Sequence, residues 1–373
     1  MNVKNCSVCD TVLEKVLIFP NYPITDVYLD KPEVMVVDQS LGVCPKCGHA
    51  QLNNFVDPSI LYGRYSFRTS HGGSTTVNDD LRNFIGDRKF KRIVDVGCND
   101  FYLLNSLRDN AEQLIGIDPV LSGREKEFSD SKLTVIGDFI ENVDLPIEDN
   151  TLYISSHVIE HLPYPRKMIN SLINSAGKDC LFVFQFPSFD YLLQDYRFDQ
   201  VYNHHLQYFS LYSISYLLND LGCTVTDYFI NPHYWGTILV SFNLLGNAVV
   251  CGRKIVASSV FDKYHSFSRR LNTLNEYMNS FNDNKFGYGA ALQLPVLAYH
   301  LRNDFSEFLN IIDDDVSKDG KYLINLSVPI KCSSKVDLEG SVVLITAPNF
   351  SRQILPKLIE MKPKRIIIPC GGF

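Results

Sequence analysis

The sequence predicts an α/β protein, and three observations carry that prediction. Two C-x-x-C pairs stand near the start, β-branched runs alternate with helical spacing from residue 92 onward, and a similar alternation returns near the end. At 373 residues the chain exceeds the size at which one hydrophobic core keeps growing, so several domains are expected. Apolar residues make up 45% and charged ones 21%, with a formal charge of −7. The acidic balance and the lack of a long basic run argue against a nucleic-acid partner. No apolar stretch is long enough to span a bilayer, which argues against a membrane partner. MNVKNCSVCD has neither a basic leader nor a hydrophobic h-region. A cytoplasmic location is therefore expected, with the ten cysteines serving as thiols or metal ligands.

The first element is a metal knot. Cys6 and Cys9 form one pair, and Cys44 and Cys47 form the other within GVCPKCGHAQ. Two thiolate turns of this spacing close a tetrahedral four-sulfur site of the kind structural Zn²⁺ prefers. Gly48 suits the sharp turn after the second pair. His49 is a rival ligand, but four thiolates already complete the shell. The segment between the pairs lacks a helix pattern and reads as short strands. A closed shell has no open position, so its role is folding.

The central element begins at RIVDVGCNDFYLL. Residues 92–96 form the first expected strand, Gly97 its turn, residues 101–108 a helix, and residues 113–117 a second strand ending at Asp118. An acid about 20 residues beyond the loop glycine is placed to accept from ribose hydroxyls. The loop has one glycine followed by Cys98, Asn99 and Asp100, whereas a dinucleotide pyrophosphate needs a glycine triplet. S-adenosylmethionine has no phosphate, and this polar loop suits it better. Asp138 and Phe139, after the third strand, suit an adenine amine and ring. A fourth strand at residues 151–155 opens into Ser156, His157, Glu160 and His161; taken singly, Ser156 and Glu160 read as a helix cap or surface residue. The order of these strand ends points to a class I methyltransferase Rossmann-like domain.

The stretch FDQVYNHHLQYFSL places His204 beside His205, framed by Tyr202 and Tyr208. A tyrosine-rich strand edge could carry His204 outward and His205 inward. Alternatively, one imidazole acts as a base near neutral pH and the other as its partner.

Residues 223–230 and 237–243 read as the last strands of the central sheet, and residues 259–281 as a connecting helix. KFGYGAALQLPVLAYHL then starts another strand and turn, with Gly287 and Gly289 allowing close backbone approach. GSVVLITAPNF and PKRIIIPCGGF supply further parallel strands, and the final CGGF is expected to fray.

Taken together, the C-x-x-C pairs, CGHAQL, YGRYSFRTS, VDVGCND, FDQVYNHHLQYFSL and GYGAALQLPVLAYHL resemble the zinc-containing sugar C-methyltransferases of branched deoxysugar biosynthesis. The resemblance spans nearly the whole chain. It implies a zinc-binding module at residues 1–75, an S-adenosylmethionine domain at 76–255, and a C-terminal Rossmann-like domain at 256–373. It implies a nucleotide-linked keto-sugar as acceptor, with Tyr202 and His205 acting at the methylated carbon. It also implies that Tyr65 reaches over the donor, while Thr69 and Ser70 touch its carboxylate. The family's Y-H-E-H stretch is Y-N-H-H here, its strand-end glutamate is Gln185, and its H-G-G-S-L-R pattern is HYWGTIL, which keeps His233 and Gly236. The expected mechanism has His205 removing a proton beside a carbonyl, while Tyr202, His204 or His161 donates to the enolate oxygen. The rival readings are O- or N-methylation, a zinc-stabilised scaffold without catalysis, and a dehydrogenase disfavoured by the missing glycines. The sequence is compatible with a monomer and does not fix the oligomeric state.

Overall fold

The computed structural model describes residues 3–57, 60–61, 74–231, 236–244 and 249–370. The N-terminal strands are β1 (Glu14–Pro23), β2 (Tyr28–Leu29), β3 (Val36–Val43) and β4 (Ala50–Leu52). Seven more belong to the central region or border it: β5 (Phe90–Val96), β6 (Ala111–Ile117), β7 (Leu133–Ile136), β8 (Thr151–Ser156), β9 (Leu181–Pro187), β10 (Gln207–Tyr208) and β11 (Thr224–Asn231). They are followed by β12 (Thr237–Asn243). The C-terminal set is β13 (Lys285–Tyr288), β14 (Phe308–Asp313), β15 (Tyr322–Leu323), β16 (Ile330–Cys332), β17 (Val342–Ile345) and β18 (Arg365–Ile367).

The large sheet has the order β11-β12-β9-β8-β5-β6-β7. Strands β5 to β9 are parallel, and β12 alone runs against the rest. Alternation along the strands explains why helices cover both faces. Ile93, Leu114, Leu152 and Ile154 point into one apolar cluster, while Val94, Ile115, Ile117 and Tyr153 point into the other. Each fully buried aliphatic side chain contributes about 1.5–3 kcal/mol. The chain reverses its direction of sheet growth between β5 and β8, and the crevice beyond their C-terminal ends is where open α/β sheets hold ligands.

The other sheets bracket this crevice. One is antiparallel, with order β1-β3-β4-β10, so the short strand beside the histidine pair completes the N-terminal sheet. The C-terminal sheet, β16-β14-β13-β17-β18, is wholly parallel. A short β15-β2 pair ties the first and last regions together. The connecting helix is Ala257–Asn279, close to its expected span. The expected helix after Gly97 is shorter, Tyr102–Ser106, and gives way to a 3₁₀ turn. Among the described residues no helix is long and apolar enough to cross a membrane.

One expectation is corrected at the C-terminal end. Cys370 is buried, and Arg270 donates to the Pro369 carbonyl at 2.9 Å, so this segment is docked and not frayed up to that residue. Burial pushes the Cys370 thiol up to about 12.

Candidate active site and metal centre

The four cysteines converge as expected. Cys6 Sγ lies 3.5 Å from Cys47 Sγ, and Cys9 Sγ lies 3.4 Å from Cys44 and 3.6 Å from Cys47. A tetrahedral Zn²⁺ shell needs sulfurs about 3.8 Å apart, so the cluster fits the ion with a small expansion. The Cys44 thiol is held low by hydrogen bonds from Cys47 and Cys6, while bonding to Cys44 pushes Cys6 up to about 12. His49 stays outside the cluster; its Nε2 donates to Gln207 Oε1 at 2.8 Å. Gln207 also accepts from Ser7 Oγ at 2.8 Å and donates to the Leu162 carbonyl at 2.9 Å. The metal knot is thereby wired to the turn that carries His161.

The loop after β5 makes a backbone cradle. Gly97 has φ +79, and a Cβ there would sit 2.2 Å from Val158. Both oxygens of Asp118 are held by main-chain N–H groups, Oδ2 by Asn99 at 2.9 Å and Oδ1 by Val120 at 3.0 Å. Each oxygen retains a second lone pair for a ribose hydroxyl. Burial pushes the Asp118 carboxyl above its usual range. Asp138 Oδ1 accepts from Phe139 N at 2.7 Å and Asn142 Nδ2 at 2.9 Å, and the exposed Phe139 ring stands at the rim. Ser156 Oγ is 3.3 Å from Asn78 Oδ1 and accepts from Gln185 Nε2 at 3.3 Å, linking β8 to helix Ser74–Ile85.

Gly97, Asn99, Asp118, Asp138, Phe139 and Ser156 all line one cavity of about 1480 Å³, and Tyr202, His204, His205 and His161 line it too. Asp100 is half-buried and set back from that lining. Tyr65, Thr69, Ser70 and His233 lie outside the described residues.

Within the same cavity, Tyr202 Oη sits 2.8 Å from His205 Nε2. His161 Nδ1 donates to the His204 carbonyl at 2.8 Å, and the His161 and His205 rings meet edge-on with centroids 5.0 Å apart. Burial drives the His205 imidazole well below its ordinary value, with His161, His157 and His204 adding to the shift. The outward–inward alternation considered for the pair is not what forms: both histidines are buried. His204 Nδ1 lies 2.8 Å from Asp26 Oδ2, and its Nε2 lies 3.2 Å from the Leu61 carbonyl. Glu160, a possible surface residue on sequence grounds, is 2% exposed, because Leu206 N donates to its carbonyl at 2.8 Å and draws the turn inward.

Three contributors were not singled out by sequence reasoning. Asp26 carries no local motif. Asn78 looks like any helix polar residue. Asp95 had a usable signal, an acid inside the apolar run RIVDV; burial, then the neighbouring Asp118, pushes its carboxyl to about 8.

With this geometry in view, residues 72–228 match the family model described as a methyltransferase domain, and residues 6–62 match one described as a zinc binding domain. The chain therefore carries an S-adenosylmethionine-dependent methyltransferase domain of class I strand order behind a zinc-binding module. A curated relative, C-methyltransferase NovU of Streptomyces niveus, is 25% identical over 207 residues, covering 53% of this chain and 49% of that protein. The match thus spans about half of the relative's length. A solved S-adenosylmethionine dependent methyltransferase from Mesorhizobium loti is 15% identical with a TM-score of 0.38, covering 46% of this chain and 98% of the other. N-methyltransferase NodS from Bradyrhizobium japonicum, in complex with S-adenosyl-L-homocysteine, is 14% identical with a TM-score of 0.36, covering 47% and 89%. At these scores the fold rests on the strand order, not on the likeness.

Proposed function

We propose that the protein is a C-methyltransferase that transfers the donor's methyl group to a nucleotide-linked keto-deoxysugar, with His205 as the base. One observation carries this reading. The buried His205–Tyr202 pair lines the same cavity as Gly97 and Asp118. S-adenosylmethionine supplies an electrophilic methyl; the protein must supply a nucleophile and water exclusion.

Burial keeps the His205 imidazole neutral at pH 7, so it carries the lone pair a base needs. The tautomers narrow the choice of enolate donor. His161 commits its Nδ1 proton to the His204 carbonyl, and as a neutral ring it has none on Nε2. Both nitrogens of His204 face acceptors, Asp26 and Leu61. Tyr202 is the hydroxyl left to donate to the developing oxyanion, and His204 serves to position the loop. Lys318, Gln293 and Asn349, from the C-terminal region, line the same cavity and suit a polar, phosphate-bearing acceptor. Domain limits near residues 75 and 255 belong to this same reading.

The test uses the full chain with donor and a panel of nucleotide-linked keto-sugars, read as mass gain of one methyl. In heavy water without donor, the hydrogen beside the carbonyl should exchange. Methyl found on oxygen or nitrogen, or no exchange, replaces this reading with O- or N-transfer. Absence of donor binding in calorimetry would leave the scaffold reading.

A further inference from the structure

Glu160, His161 and His205 turn one ligand-capable atom each into a single corner of the cavity, all within 4.8 Å of one another. We infer that this corner is a second, exchangeable divalent-metal site, separate from the four-sulfur centre, for a borderline transition cation such as Zn²⁺ or Co²⁺. Glu160 gives the strongest indication. It is 2% exposed, its Oε1 faces His157 Nδ1 at 3.2 Å, and its Oε2 is buried with no partner among the described residues. A buried carboxylate oxygen in that position is unfavourable unless something compensates it. A cation does so.

The histidines are dressed as ligands. His161 donates Nδ1–H to the His204 carbonyl, which puts its lone pair on Nε2. An imidazole whose second N–H is bound by a carbonyl is the usual arrangement in metal sites. His205 is oriented by the Tyr202 hydroxyl. The bond from Leu206 N to the Glu160 carbonyl fixes the two ligand segments to each other. Ligand atoms around a four-coordinate ion lie about 3.3 Å apart, so binding draws the three groups inward by up to about 1.5 Å. Two imidazoles and one carboxylate favour borderline cations over Ca²⁺ or Mg²⁺, and the fourth position opens on the cavity.

A metal here occupies the lone pair that the proposed base requires. The inhibitory consequence, unlike the binding itself, rests on the reading of His205 as base. A protein that needs zinc at its cysteines is then silenced by excess zinc at its histidines.

The test takes full-length protein carrying one equivalent of zinc and titrates it with Co²⁺. One further equivalent should bind, with weak visible bands and no intense near-ultraviolet thiolate band. Glu160→Gln and His161→Asn should each weaken it by more than about tenfold, since even outer-shell partners are worth that much. The retained zinc equivalent reports that each variant is folded, and His161→Asn carries the comparison should Glu160→Gln lose it. No second equivalent, a thiolate band, or unchanged affinity in both variants overturns the site. Methyl transfer should fall in step with Co²⁺ occupancy. Bound Co²⁺ with undiminished transfer leaves the site standing and counts against His205 as the base.

Discussion

Two groups of residues that line the cavity are built on opposite principles. One group is largely main chain: Gly97, Asn99 and Val120 sit on loops that directly follow β5 and β6, and Asp118 is held by the N–H groups of Asn99 and Val120. The other group is made of side chains drawn from distant segments, Asp26 near the start, Glu160 and His161 after β8, and Tyr202 to His205 beyond β9. The first needs only that consecutive strands form. The second needs distant segments to be in place at once, so perturbations should separate the two.

The largest separation is expected from the metal knot. Ser7 lies between the first cysteine pair and bonds Gln207, and β4 pairs with β10 beside the histidines. Cys44→Ser should therefore abolish methyl transfer while the central sheet still binds donor, measured by calorimetry alongside zinc content. Loss of both together would mean that the two groups are not independent.

His205→Asn comes next. Transfer should fall roughly 10²–10⁴-fold, the usual worth of a positioned base, with donor affinity unchanged. Near wild-type turnover would remove the base assignment.

Asp26→Asn tests the contact that joins the N-terminal module to the histidine pair. Removing a hydrogen-bond partner from a buried polar group typically costs about 1–3 kcal/mol. The expected result is a lowered melting temperature and impaired transfer, with the donor dissociation constant preserved. An unaltered melting temperature would show that the Asp26–His204 contact contributes little to stability.

A further effect concerns pH. The Asp95 carboxyl titrates near 8 in the fold, up from 3.8, because it is buried beside Asp118. A group raised on folding gives its full contribution below its unfolded value and loses it as pH climbs through the folded one. Wild-type stability should therefore decline relative to Asp95→Asn between about pH 4 and 8 and then level off. Denaturant midpoints at pH 5 and pH 8 measure it; a gap that stays constant would place Asp95 in a less hostile environment.

The contrast also explains what could be read in advance. The strands β5, β6 and β8 fell within a few residues of expectation, since two-sided burial leaves unbroken apolar runs. Gly97 and Asp118 were legible because loop chemistry follows those strands immediately. Glu160 was misjudged because a lone acid after a strand looks the same whether it faces water or a cavity. Cys370 was misjudged because nothing in CGGF names Arg270 or the docking of its segment.

The sequence by itself determined the four-sulfur knot, the parallel central sheet and the Gly97 turn after its first strand, because each is set by spacing over a few residues. Only the tertiary structure decided that Asp26 meets His204, that Gln207 bridges the metal knot to the His161 turn, and that Glu160 lies buried beside two imidazoles. Periodicity reports which face of an element is buried; it does not name the partner that a distant segment brings to that face.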